Sequence, residues 1–252
     1  MKKWRRLLFP LSIILLLGAW EAWTRMADIP VYKFPSPSAI FGQSPVTYQL
    51  LLHHLGVTFK EVVLGILTGT ALAFLTSLLF FWIPLFKDAF YPYARMVNSM
   101  PIPAIASLIV IWAGVGIESK LITATICAYF PLVCHTYQGL ISVDPLRKKL
   151  LRGLGASRWQ MLRHLELPYA AAEILTALET AVTVVIVGVF VGEMFGGNEG
   201  LGFYVLNLKY RMDTPKVMIA TFTTMALGWS LGEGVAFLKR RLIRWHPSVQ
   251  RR

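Results

Sequence analysis

Six apolar stretches, at 7–23, 57–83, 94–113, 121–140, 169–195 and 217–238, occupy most of the 252 residues. About 20 apolar residues in helical form cross the hydrocarbon core of a bilayer. Inside that core only helices and closed barrels satisfy every backbone polar group. The pattern therefore predicts an all-α integral membrane protein with six transmembrane helices. With 56% hydrophobic and only 15% charged residues and a mean hydropathy of +0.57, the chain lies far from a soluble domain. The stretches between the spans are too short for a separate soluble domain.

A formal charge of +12 invites a nucleic-acid reading, but the basic residues fall in short clusters between apolar runs. Membrane topology accounts for them, and no nucleic-acid partner is expected. With the N-terminus inside, one side of the six spans holds Lys and Arg at 2, 3, 5, 6, 87, 95, 147, 148, 149, 152, 158, 163, 239, 240, 241, 244, 251 and 252, eighteen in all. The other side holds seven, at 25, 33, 60, 120, 209, 211 and 216. The positive-inside bias then puts both ends in the cytoplasm.

The opening Lys2, Lys3, Arg5 and Arg6 before an apolar run resembles a signal peptide, but Trp20, Glu21 and Trp23 stand where small residues would be needed for cleavage, so an uncleaved first span is expected. Prolines 30, 35, 37 and 45 break the segment 24–56, which reads as an external connection. The domain layout is then 1–56 as the first span and external proline-rich segment, 57–245 as the core, and 246–252 as a cytoplasmic basic tail. Cys127 and Cys134 lie two helical turns apart in one run, too far for a disulfide between them within that helix.

Within the spans, small residues recur at four-residue spacing at Gly65 and Gly69, Gly188 and Gly192, and Gly228 and Gly232, a pattern of close helix contact. Glu179 is the deepest acidic residue, and Glu193 sits at the end of the fifth span as a polar anchor; both are candidates for the translocation pathway. Met100, Pro101 and Pro103 put two helix breakers inside the third span, where only protein or a water-filled cavity can satisfy the freed backbone groups. The glycine-rich loop at 196–202 leads to a short apolar segment at 203–210 that reads as a lid helix. The sequence holds neither a His-Glu-x-x-His metal motif nor a Walker glycine-lysine loop, so no enzyme activity, metal or cofactor is expected, and energy must come from a partner.

Between the fourth and fifth spans, 142–168 is too polar to span. Leu146, Leu150, Leu151 and Leu154 fall at helical spacing with Arg147, Lys148 and Arg152 between them. Asp144 and Pro145 supply a cap and a first-turn proline. Gly155 and Ala156 interrupt this helix, and Trp159, Leu162 and Leu165 begin another before Leu167 and Pro168. The segment is a helix, tight turn and helix. A basic amphipathic element on anionic lipid has the same composition.

At these residues the chain resembles the permeases of binding-protein-dependent ABC importers, whose cytoplasmic loop carries Glu-Ala-Ala, three residues, Gly, nine residues, then Ile-x-Leu-Pro. Gly155, Leu165, Leu167 and Pro168 fall at the matching positions, while Lys149, Leu150 and Leu151 replace the opening triplet. Further resemblance lies in Met-Pro-Ile-Pro at 100–103, Ile-Trp-Ala-Gly-Val-Gly at 111–116, Phe-Pro at 130–131, Gly-Leu-Ile-Ser-Val-Asp-Pro at 139–145, Gly-Glu-Met at 192–194, Glu-Gly-Leu-Gly at 199–202 and Arg-Trp-His-Pro at 244–247. The branch is that of sulfonate, nitrate and taurine carriers, which also holds carriers of thiamine-pyrimidine precursors and riboflavin.

The resemblance implies a type I importer fold and two cytoplasmic ABC ATPase subunits as partners. The loop docks on them through Asp144, Arg152, Gly155, Ala156, Ser157, Arg158, Leu165, Leu167 and Pro168. It also implies an external solute-binding protein, with Gly197, Gly200 and Gly202 as docking candidates, and a second copy of the chain as a homodimer in the bacterial inner membrane. Aliphatic sulfonates come first among the expected solutes and a heteroaromatic vitamin precursor second. A passive channel leaves the cytoplasmic loop without a role, and a scaffold leaves the kinked spans without one.

Overall fold

The computed structural model describes residues 2–243, and for 2–9 the backbone alone. The landmark at 244–247 and the basic tail lie outside the described residues. Within them every regular element is helical: α1 (Lys2–Met26), α2 (Pro37–Phe41), α3 (Pro45–Trp82), α4 (Pro84–Val97), α5 (Ile102–Ala113), α6 (Ile117–Ile141), α7 (Pro145–Gly153), α8 (Arg158–Met161), α9 (Leu167–Gly196), α10 (Leu201–Tyr210) and α11 (Thr214–Leu242). Among the described residues, three helices are long and apolar enough to cross a membrane: α3, α6 and the continuous helical stretch Arg158–Gly196. The pair α4 and α5 makes a fourth if it is one broken span.

The elements start where local chemistry dictates. Ser44 caps α3, its hydroxyl accepting from Thr47 N at 3.3 Å, and Pro45 takes the first position, where a missing N–H costs nothing. Helix α3 therefore begins twelve residues before the apolar run at 57, and 45–56 is not an irregular connection. Its 38 residues measure roughly 57 Å, nearly twice the hydrocarbon thickness, so the whole helix need not lie in lipid. The third apolar run is not one helix. Its first residues finish α4, and Pro101 and Pro103 turn the chain by 104° into the 12-residue α5. A helix of roughly 18 Å cannot cross alone.

The centre of the bundle is the packing of α3, α6 and α9, with a buried core of Val62, Ala124, Ala128, Leu132, Val133, Val182, Val185 and Val189. Backbones approach closely because small residues meet there: a Cβ added to Gly65 would lie 2.2 Å from the Cβ of Ala124, and one added to Gly69 would lie 2.5 Å from that of Ala128. Gly188 packs on Cys127 in the same way, whereas Gly232 faces open space. Helix α11 lies against α9, and α2 and α10 cover one end through Ile40, Leu51, Leu201, Tyr204 and Ile219.

A methyl group at 65 has nowhere to go. Gly65→Ala should lower stability by about 1–3 kcal/mol, and the double variant Gly65→Ala/Ala124→Gly should recover more than half of the loss. Unfolding of the purified protein in mixed detergent micelles measures both.

Candidate functional site

Two regions at opposite ends of the bundle carry the polar chemistry. The first lies where α9 ends and α10 begins. Glu193, on the last turn of α9, is fully enclosed. Its Oε1 accepts from the Thr58 hydroxyl at 2.7 Å and its Oε2 from Gly202 N at 2.6 Å. Leu201 N donates to Thr58 Oγ1 at 2.8 Å, and Gly200 N to His54 Nδ1 at 3.1 Å. The orphan N–H groups that open α10 are thus satisfied by side chains from two other helices, and the carboxylate sits at the favourable end of the helix dipole.

Glycine is required in the loop for space. A Cβ on Gly200 would lie 2.1 Å from the Glu193 carboxyl carbon, and one on Gly202 would lie 2.1 Å from Phe190 O. Gly200 also holds φ at +108°, where side chains rarely go. Gly200 and Gly202 face inward and are buried, Gly197 is half-buried, and Asn198 and Glu199 form the exposed crest of the loop.

Beside Glu193, Lys120 from the first turn of α6 forms an ion pair with Glu61 of α3, and both side chains are buried. The second Glu61 oxygen is buried without a hydrogen-bond partner. A cavity of about 360 Å³ borders the pair, lined by Lys60, Glu61, Lys120, Asn198 and Glu199 among others. Among the described residues no group of His, Cys, Asp and Glu is arranged to hold a metal.

The remaining intramembrane candidates fall elsewhere. Glu179 is paired with Lys239 across α9 and α11 at 3.4 Å. Met100 is exposed at the corner between α4 and α5 and lines an apolar groove of about 540 Å³ with Leu72, Trp112, Tyr129 and Phe130. Pro101 caps α5, and Pro103 lies in its first turn.

The second region is 142–168, at the opposite end. Asp144 Oδ1 accepts from Leu146 N at 2.8 Å and starts α7, with Pro145 in its first position. Gly155 ends it at φ +82°, its N–H donating to Arg152 O and that of Ala156 to Leu151 O. Ser157 then opens α8 with a reciprocal capping box: its hydroxyl accepts from Gln160 N at 3.2 Å, and its N–H donates to Gln160 Oε1 at 2.8 Å. The Arg158 guanidinium lies 4.8 Å from the Trp82 ring at the end of α3.

A π-helical turn, Leu162–Glu166, joins α8 to α9. It precedes Pro168, which lacks an N–H and would clash with the carbonyl four residues back in an unbroken α-helix. Arg152, Gly155, Ser157 and Arg158 are exposed and Ala156 is half-buried, as are Leu165, Leu167 and Pro168 at the root of α9.

Sequence reasoning did not connect Glu193 to its partners. Glu193 is the buried polar anchor that its place at the end of the fifth span suggests, while His54 and Glu61, which no motif singles out, are buried beside it. The available signal was spacing: His54, Thr58, Glu61, Gly65 and Gly69 recur at three to four residues and form one face of α3. The Ser157–Gln160 capping box was legible in the same way.

The family model described as binding-protein-dependent transport system inner membrane component matches residues 61–244. The chain is 31% identical to the formylaminopyrimidine transport permease of Halalkalibacterium halodurans, over 93% of this chain and 94% of that protein. It is 27% identical to the riboflavin transport system permease of Chloroflexus aurantiacus, over 98% of this chain and 92% of that one. In fold it is similar to a chain from the crystal structure of an amino acid ABC transporter with histidines, with a TM-score of 0.64 at 20% identity, covering 78% of this chain and 96% of that one.

Removing the Glu193 carboxyl strands the Gly202 N–H in a buried site and leaves the Thr58 hydroxyl only His54 O to donate to. Glu193→Ala should cost roughly 2–5 kcal/mol and open the loop to protease cleavage near Asn198, while Glu193→Gln, which keeps one acceptor, should fall between wild type and alanine. Limited proteolysis with thermal unfolding reads both effects.

Proposed function

Since the chain belongs to the family of binding-protein-dependent transport system inner membrane components, it is a membrane permease subunit of an ABC importer, and we propose that it forms one half of a two-permease pore with both termini in the cytoplasm. In this reading the six apolar runs all cross the membrane, with α4 and α5 as a broken span. The region 57–245 forms the transport core and 142–168 its cytoplasmic loop. The end holding 196–202 then faces outward.

The observation that carries the reading is the presentation of α7. Leu146, Leu150 and Leu154 are 72%, 66% and 74% exposed along one face, with Arg147, Lys149 and Arg152 beside them. A rigid helix with apolar anchors and a basic rim suits a groove on a protein partner. Two cytoplasmic ABC ATPases are that partner here, and Asp144, Arg152, Gly155, Ala156, Ser157 and Arg158 shape and flank the docking element. The chain supplies path and coupling, with ATP hydrolysis in the separate subunits. Alternating access follows as the ATPases close and move the loop.

An external solute-binding protein delivers the solute to the outward end, where Asn198 and Glu199 form the accessible crest and Gly197, Gly200 and Gly202 set its shape. Met100, Pro101 and Pro103 are placed on the pathway, at the corner between α4 and α5. Glu179 and Glu193 hold helices together beside it. Between the solutes left open, a pyrimidine vitamin precursor is favoured by the 31% identity to a formylaminopyrimidine permease. The aliphatic sulfonate is the second reading.

Uptake of radiolabelled formylaminopyrimidine by cells expressing the chain with its ATPase and binding protein should be saturable, and excess taurine should leave it unchanged. Saturable uptake of radiolabelled taurine with none of the pyrimidine would reverse the order of the two solutes. Gly155→Val forces a β-branched side chain into a positive-φ turn, and uptake should fall at least tenfold while membrane levels stay within twofold.

A further inference from the structure

Helix α7 has no buried residue. Leu146 and Leu150 point away from the bundle and Leu151 is half-buried, so apolar packing alone gives the helix little hold. At 100° per residue Lys148 lies about 200° around the helix from both Leu146 and Leu150, on the face toward the bundle. Lys148 Nζ makes an ion pair with Glu166 Oε1 at 2.8 Å. Among the described residues, this is the side-chain ion pair or hydrogen bond that joins α7 to another element.

Glu166 belongs to no ordinary turn. Its side chain is 3% exposed and it closes the π-helical turn at the root of α9. Its second oxygen is buried without a hydrogen-bond partner. A buried carboxylate with one charged partner depends heavily on that partner, because alternatives would leave it unpaired in a site closed to water. The next residue, Leu167, begins the 30-residue helix that ends at Gly196, three residues past Glu193. A displacement of α7 is therefore delivered by one short electrostatic bond to the base of the helix that reaches the opposite end of the molecule.

We propose that Lys148 and Glu166 are the positioning pair that transmits movement of the docked α7 into α9. The proposal rests on the permease reading above and goes beyond it, since the leucine face would bind a partner with or without this pair. Lys148 is the drive pin, and Glu166 its seat. The neighbouring stack of Arg158 on Trp82 holds α8 against the end of α3 and so keeps the seat from shifting sideways.

The test uses the full complex of this chain with its ATPase, purified in mild detergent. Cys127 and Cys134 are replaced by alanine and a spin label is placed through Phe195→Cys, an exposed position at the far end of α9. In the wild-type background, ATP with vanadate should shift the label distance between the two copies. Lys148→Met and Glu166→Gln should each retain the ATPase and hydrolyse ATP within twofold of wild type, yet lose at least four-fifths of that shift. The exchanged pair Lys148→Glu/Glu166→Lys should regain at least half of it.

An unchanged shift in both single variants would overturn the proposal. So would loss of the ATPase from either, since the pair would then serve assembly and not transmission. The same holds if the exchanged pair assembles but stays as immobile as the single variants. A wild-type sample that captures no ATPase at all would instead refute the permease reading, and the proposal with it.

Discussion

A polar group enclosed by lipid-spanning helices has no water to turn to, so its partners must come from the protein. Glu193 shows how far that requirement reaches. Satisfying one carboxylate takes a hydroxyl from α3 and the opening N–H of α10. These fix the path of 196–202, and that path in turn excludes any side chain at Gly200 and Gly202. The same face of α3 that offers His54, Thr58 and Glu61 continues into Gly65 and Gly69, which bring α6 to backbone contact. The polar junction and the close-packed seam are consecutive stretches of one helix face, and neither can shift without the other.

Helix α9 gives this constraint its consequence for transport. It carries Glu193 in its last turn and springs from the π-helical turn at Leu162–Glu166 at its other end. Its middle packs through Ala181, Val185 and Val189 into the central core. Dense interiors transmit displacement and do not absorb it, and in the proposed coupling a movement imposed at the loop 142–168 reaches the opposite end as a movement of the whole helix. The broken pair α4 and α5 differs in kind. Its 104° corner at Met100 and Pro101 leaves a short helix beside an apolar groove, where rearrangement requires little repacking of the core.

Much of this was legible in the sequence, because the signals are local. Apolar run length marks α3, α6 and α9, and Asp144 with Pro145 and the glycine at 155 mark the start and end of α7. The misplaced features have physical reasons. The start of α3 was hidden because Gln49, His53 and His54 interrupt the apolar pattern of 45–56 and the prolines at 30, 35, 37 and 45 read as a connection. The third run looked continuous in hydropathy, which does not register direction, and the two prolines bend it through more than a right angle. Thr58 reaches Glu193 from 135 residues away in sequence, a distance that no local pattern spans, and Lys120 looked like a loop lysine until α6 placed it beside Glu61.

The central claim is that this chain is half of a pore driven by ATPases outside the membrane. Native mass spectrometry of the complex drawn from bacterial membranes with the chain as bait tests it most directly. The account predicts one assembly with two copies of this chain and two copies of an ABC ATPase. A chain that emerges folded but alone, or as an oligomer with no ATPase attached, would contradict it.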